Sequence, residues 1–353
     1  MKTFAPAARS LLANGWLLRP LAVAAWLFIL QAAKPLLLPL VIAVVFTFVL
    51  APAVHALRRR GVPEWLGAAL LLALLLAAVA VPGVWMAAPA ARWWQQAPAM
   101  LQRLLDSLHG ASPPLPPGLL DEEGTRLTRA ALGQLLSFSV SASATVFLLY
   151  FLLLSERWLL ALTMEMVPRR RSRALLLGGV RQAQRDIGLF VTTMALVSAG
   201  LGAATGVALG LLGFPSAMLW GTLTAVLTFV PYVGPALVAL ALLAAGHAVY
   251  GPVLLMLAPA GLFLGLHFIE SNFISPVVMG LRLRISPVFV FLSVLLWSWL
   301  WGIAGAFVAV PLLLGLRAAC RRHPRLRVVR RYIDGSASNA PSFAALLAPR
   351  RRP

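Results

Sequence analysis

The chain has 353 residues, 61% of them hydrophobic and only 11% charged, with a formal net charge of +20. Several apolar runs exceed the roughly 18 residues that mark a bilayer span, so a soluble domain is excluded and a polytopic, all-α membrane protein is expected. In a soluble chain such a charge would point to nucleic acid. Here most arginines flank apolar segments, so no nucleic-acid partner is expected and the charge reads as a cytoplasmic surface facing anionic lipid.

Only Lys2 and Lys34 are lysine among the 30 basic residues, a bias that together with the abundant alanine suggests a GC-rich bacterial genome. The single cysteine, Cys320, rules out an internal disulfide and a cysteine metal cluster, and it is expected to pack as a small apolar residue near the cytoplasmic face. Lys2 and Arg9 ahead of an apolar run resemble a signal peptide. Arg19 and Pro20 come late, however, and a second apolar run follows at once, so cleavage is not expected.

In chain order, runs 21–33 and 36–57 are separated by Lys34-Pro35 and are together too long for one span, so they read as a helical hairpin. Arg19 at one end and Arg58, Arg59 and Arg60 at the other assign both ends to the cytoplasm. A third span covers 65–91. Residues 92–131 hold four of the ten acids, Asp106, Asp121, Glu122 and Glu123, balanced by four arginines, and a near-neutral loop of this kind belongs outside. Within it APAMLQRLLDSL has the pattern of a short amphipathic helix, ahead of the loop SPPLPPG, and the segment reads as a structural cap before a substrate lid. Span four, 132–154, returns the chain inside, where Arg157, Arg169, Arg170, Arg171, Arg173, Arg181 and Arg185 accumulate. The next run, 188–213, carries Ser198, Gly202, Gly206 and Gly210 at intervals of four, which predicts a smooth helix face and a close packing seam.

Two longer segments decide the architecture. A straight helix over 215–247 would be about 50 Å long against a hydrocarbon core of about 30 Å, and PYVGP, from Pro231 to Pro235, breaks it near the middle. Segment 286–320 is similarly long and is interrupted around Gly302 and Gly305. If each is one broken span, Arg282 and Arg284 lie outside. If each is a re-entrant hairpin, they lie inside. The hairpin option keeps 25 of the 30 basic residues cytoplasmic and sets Trp297, Trp299 and Trp301 near a far turn, a better place for tryptophan than the midplane, so it is the expected one. It implies cytoplasmic N- and C-termini and an inverted repeat: a span plus hairpin over 188–247, then a span plus hairpin over 251–320. Pro215, Pro231 and Gly234 are spaced much like Pro287, Gly302 and Gly305. Inverted repeats with broken helices build midplane sites in secondary transporters. The chain so divides into N-terminal membrane helices (1–91), an extracytoplasmic loop (92–131), a fourth span with a basic connector (132–187), a transport core (188–320) and a basic cytoplasmic tail (321–353).

Polar chemistry concentrates in 267–287, HFIESNFISPVVMGLRLRISP. Glu270 and Asn272 close one apolar run, Pro276 and Gly280 prevent its simple continuation, and Ser286-Pro287 opens the next. An ionisable residue at such a boundary is a candidate functional site. Glu270, with Asn272 and with His267 three residues earlier, is expected to face a cavity between the hairpins and to exchange a proton or cation. The alternative is an ion pair of Glu270 with Arg282 or Arg284. Pro231 and Pro235 lack amide donors and leave nearby carbonyls without helical partners. Those carbonyls complete the candidate set with Gly234, Gly302 and Gly305, and Gly234→Leu is expected to abolish transport by a folded protein. There is no GxxxxGK[ST] phosphate loop, and His55, His109, His247, His267 and His323 show no metal-ligand spacing, so neither an enzyme nor a cofactor is expected.

The blocks RRRGVPEWLGA (58–68), FVPYVGPAL (229–237), IESNFISPVVMGLRLRISPVFVFLSVL (269–295) and GIAGAFVAVPLL (302–313) resemble the AI-2E family of bacterial membrane proteins, named for autoinducer-2 export. The resemblance runs over nearly the whole chain, although Ala51-Pro52 stands where the family often has Asn before the proline. It implies an oligomeric inner-membrane transporter, with autoinducer-2 export assigned to some members and sodium/proton antiport to others. Three functions stay open at this point: an exporter of a small polar molecule, a cation/proton antiporter of the same fold, and a membrane assembly factor.

Overall fold

The computed structural model describes residues 15–109, 119–250, 253–279, 285–320 and 333–334. Among them the long regular elements are all helical: α1 (Gly15–Ala32), α2 (Lys34–Arg59), α3 (Glu64–His109), α4 (Leu119–Glu165), α5 (Arg170–Leu211), α6 (Ala217–Leu227), α7 (Val233–Val249), α8 (Val253–Ile269), a π-turn (Glu270–Ile274), α9 (Ser275–Met279), α10 (Pro287–Trp301) and α11 (Ile303–Cys320). Six helical stretches, 34–59, 64–93, 139–165, 172–211, 254–274 and 303–320, are long and apolar enough to cross a bilayer. Large apolar side chains such as Leu211 (86% exposed), Leu254 (83%) and Val277 (81%) point outward, which suits hydrocarbon as the surrounding solvent and not water. The protein is a multi-pass helical membrane protein.

Chain reversals occur where backbone of the required hand is available. α2 and α5 end in the same device: Gly61 (φ 90°) and Gly213 (φ 71°) adopt positive φ. Val62 N then donates to Leu57 O and Phe214 N to Leu209 O, while Gly61 N donates to Arg58 O and Gly213 N to Gly210 O. This is the Schellman pattern, and at α5 its accompanying apolar contact joins the buried Phe214 and Leu209.

The junction of α1 and α2 has no such residue. It consists of Ala33 alone, at φ −81° and ψ 3°, and one nearly helical residue cannot reverse two helices each about 10 Å across. The expected first hairpin is therefore a bent rod. Pro35 removes one amide from the ladder, and Trp301 Nε1 donates at 3.1 Å to Leu30 O, the acceptor that the amide of Lys34 would take in a continuous helix. Trp301→Phe should lower stability by about 1–2 kcal/mol in detergent unfolding, because it leaves a partly buried carbonyl unpaired while keeping most of the ring's packing.

The expected loop over 92–131 is also revised. α3 continues through the APAMLQRLLDSL segment to His109 and α4 begins at Leu119, so at 46 and 47 residues each helix would be about 70 Å long, far more than a bilayer needs. SPPLPPG lies outside the described residues.

The stripe of small residues on α5 does form a seam. A Cβ added at Gly202 would sit 2.5 Å from Gly221 O and 2.6 Å from Ala225 Cβ on α6, and Ser198 is buried on the same helix. Only hydrogen atoms at these positions permit that approach. Around the seam, Leu201, Leu209, Trp220, Val238, Leu242 and Phe263 make one apolar core joining α5 to α8. A second core joins α2, α5 and α11, and a third joins α2, α3 and α4. Cys320 is buried, as expected. The described fragment of the tail docks on Ser286 and α11: Ser286 N donates to Ile333 O at 2.9 Å, and the buried Arg317 donates through Nε to Asp334 Oδ1 at 2.6 Å.

Candidate functional site

The two long segments that sequence reading left between broken spans and hairpins are both helical hairpins. In α10 and α11, Ser293 Oγ donates to Ala309 O at 2.9 Å, and Gly305 lies against Trp297 O, so residue numbers on the two arms run in opposite senses. The turn between them is Gly302 alone, at φ 73° and ψ −149°, a conformation open to glycine only. Trp297 and Trp301 pack on each other beside this turn, with ring centroids 4.8 Å apart.

In the first hairpin α6 gives way over PYVGP because prolines 231 and 235 supply no amides. The turn itself is tight. Val233 N donates back to Pro231 O at 2.8 Å across Tyr232, which holds φ 65° and ψ −53°. This is the rare, positive-φ kind of γ-turn, and for tyrosine it costs about 1–3 kcal/mol. Gly234 then begins α7 so close to α6 that a Cβ would overlap Leu227 O and lie 2.9 Å from Thr228 Cα. Gly305 has the same role one hairpin later, where a Cβ would overlap Trp297 O. The pairing of Gly234 with Gly305 in the sequence repeat therefore extends to the way each hairpin closes.

The strained turn is seated on the second hairpin. Phe229 stacks on Phe307 with centroids 4.4 Å apart, Tyr232 meets Phe291 edge-on at 5.7 Å, and Val230 joins Val294, Ala306 and Ala309 in a small core. Gly302 lies farther along, where Leu300, Trp301 and Val308 pack against α1 and α2.

Glu270 opens the π-turn and is buried, 9% exposed. Ser275 N donates to Glu270 O, an i→i−5 bond. Pro276 explains the wider register, since in an α-helix it would both lack a donor and clash with the carbonyl of Asn272. The Glu270 carboxylate accepts from Ser275 Oγ and lies 3.1 Å from His267 Nδ1, an ion-pair approach whose angle falls short of a hydrogen bond. The imidazole is stacked on the buried Phe263 ring, 5.8 Å away and nearly parallel. A carboxylate in this position can hold a proton or neutralise a cation, because among the described residues its remaining stabilisation comes from two side chains, Ser275 and His267.

Asn272 does not join this group. It is exposed and donates to Phe268 O at 2.8 Å and to Ser271 Oγ at 3.2 Å. Among the described residues the π-turn packs on α5, α8 and α9, whereas PYVGP packs on α10 and α11. Gly280, Arg282 and Arg284 lie outside the described residues.

A second histidine–carboxylate constellation escaped the sequence reading. His55 on α2 has its Nε2 3.6 Å from Glu156 Oε2 on α4, and Gln184 on α5 donates to the other oxygen of the same carboxylate. Three helices far apart in the chain contribute one residue each, so no local spacing announces the group.

The chain is similar to YhhT of Escherichia coli K12, with 27% identity across 80% of this chain and 83% of that protein. It is similar to the AI-2 transport protein TqsA of the same organism, with 22% identity across 82% of this chain and 87% of TqsA. YrrI of Bacillus subtilis 168 gives 23% across 81% and 85%. The sequence model of the AI-2E family transporters matches residues 18–324, from within α1 past the end of α11. Since that match takes in both hairpins and the π-turn between them, the chain belongs to the AI-2E family of transporters.

Proposed function

We propose that this protein is a secondary transporter of the bacterial inner membrane that exports a small polar molecule of the autoinducer-2 type by alternating access. The observation that carries this reading is the Tyr232 γ-turn seated on the second hairpin through Phe229, Val230 and Tyr232. A turn held under strain by its partner is a natural two-state element, because separating the hairpins releases the strain and closing them restores it. The name of the relative TqsA supports the substrate class. The buried Glu270–His267 pair favours one second reading, cation/proton antiport, in which this carboxylate carries the coupling ion.

Purified protein in proteoliposomes separates the two. Export requires that autoinducer-2 move, and move faster under an imposed proton or sodium gradient. Antiport requires that the gradients exchange with no organic solute present. Loss of both activities would return the chain to the assembly-factor class.

This reading includes a cytoplasmic C-terminus and two hairpins opening from opposite sides. A cysteine at position 283, in a Cys320→Ala background, should then react with an impermeant maleimide only in inside-out vesicles. Labelling in intact cells would sink the inverted arrangement.

A further inference from the structure

We infer that the cavity between α2 and α5 is a binding site for a phosphate group. It is a cleft open on one side, of about 640 Å³, whose polar lining is His55 and Arg59 from α2 and Arg181, Gln184 and Arg185 from α5, with Pro52 and Ala56 beside them. His55 and Arg59 are four residues apart, as are Arg181 and Arg185, so each helix turns one face of donors toward the other. The volume suits a lipid headgroup or a small phosphorylated solute.

The charge distribution around the cavity points to an anion. Nearby arginines outside it have acidic partners: Arg58 pairs with Glu64, and Arg157 lies 3.4 Å from the same carboxylate. Among the described residues no carboxylate pairs with Arg59, Arg181 or Arg185. Glu156 lies against the lining, engaged with His55 and Gln184, with its side chain 10% exposed. It orients those two side chains and leaves the three guanidiniums unneutralised. Like charges at i and i+4 on α5 repel each other, and an oxyanion between them turns that repulsion into attraction. Guanidinium forks match tetrahedral phosphate oxygens two at a time.

The site is independent of the hairpin interface and stands or falls separately from the transport reading. Arg59 ends a stretch apolar enough to span the membrane, at the depth of a headgroup, yet the cavity is also roomy enough for a soluble phosphate ester. Two probes distinguish these sources. The full chain in uncharged detergent is titrated with inorganic phosphate against chloride at equal ionic strength, and the same protein in phosphatidylglycerol or phosphatidylcholine nanodiscs is examined for lipid retention by native mass spectrometry.

At least one probe should bind, and Arg181→Gln/Arg185→Gln should weaken it tenfold or more. Arg169→Gln/Arg170→Gln removes the same charge outside the cavity and should weaken it less than threefold. Binding of free phosphate without lipid assigns a soluble ester; phosphatidylglycerol retained against excess phosphate assigns a headgroup. Should the α5 double variant not fold, Arg59→Gln gives the same reading from α2. No binding above chloride and phosphatidylcholine, or equal loss in the cavity and control variants, overturns the proposal.

Discussion

Gly234→Ala should cost the first hairpin at least as much as severe overpacking does, about 3 kcal/mol, and Gly305→Ala should do the same to the second. At both positions the added methyl group would overlap a backbone carbonyl, that of Leu227 or Trp297, and backbone cannot step aside as a flexible side chain can. At Gly234 the carbonyl belongs to the last residue of α6, so relief requires α7 to tilt away, which unseats Tyr232 from Phe291. Thermal unfolding in detergent should register a clear loss for each variant. Gly265→Ala is the control, since open space surrounds that position on α8 and no loss is expected there. A wild-type unfolding temperature for Gly234→Ala would show that the hairpin closes less tightly than described. The structure thereby revises the expectation that Gly234→Leu leaves a folded but inactive protein: even alanine is too large.

Glu270→Gln is expected to have the largest effect on transport with the least effect on structure. Glutamine keeps the shape of the side chain and an oxygen to accept from Ser275 Oγ, so unfolding should change by less than about 1 kcal/mol. It can neither release a proton nor balance a cation. Gradient-driven flux should fall at least tenfold, and its pH dependence should disappear. Ser275→Ala, which removes a hydrogen bond and leaves the charge, should reduce flux only moderately. A stable Glu270→Gln protein whose flux retains the wild-type pH profile would remove this carboxylate from the transport site.

His267 and Glu270 were legible as a pair because residues three apart share a helix face whatever else the chain does. Asn272 is not brought together with them. Two residues along a helix lie on nearly opposite sides, and the structure turns Glu270 inward and leaves Asn272 exposed. Ser275 could not have been found from spacing at all. In an α-helix, five residues put it about 140° away from Glu270, and it reaches the carboxylate only because the π-turn widens the register.

The same division runs through the fold. By itself the sequence determined what single residues and short spacings enforce: the apolar runs, the breaks at PYVGP and Gly302, and the small-residue seam on α5. These follow from sterics and missing amides within a few residues, which no distant partner can change. Tertiary structure alone decided that α1 and α2 meet in a bend, since a break at Lys34-Pro35 permits either a turn or a kink and the Trp301 indole fixes the kink. It also decided that PYVGP rests on α10 and α11, and that His55, Glu156 and Gln184 converge from three helices. Helices that are apolar on most faces carry no periodic mark of which face meets which neighbour, so that choice belongs to packing.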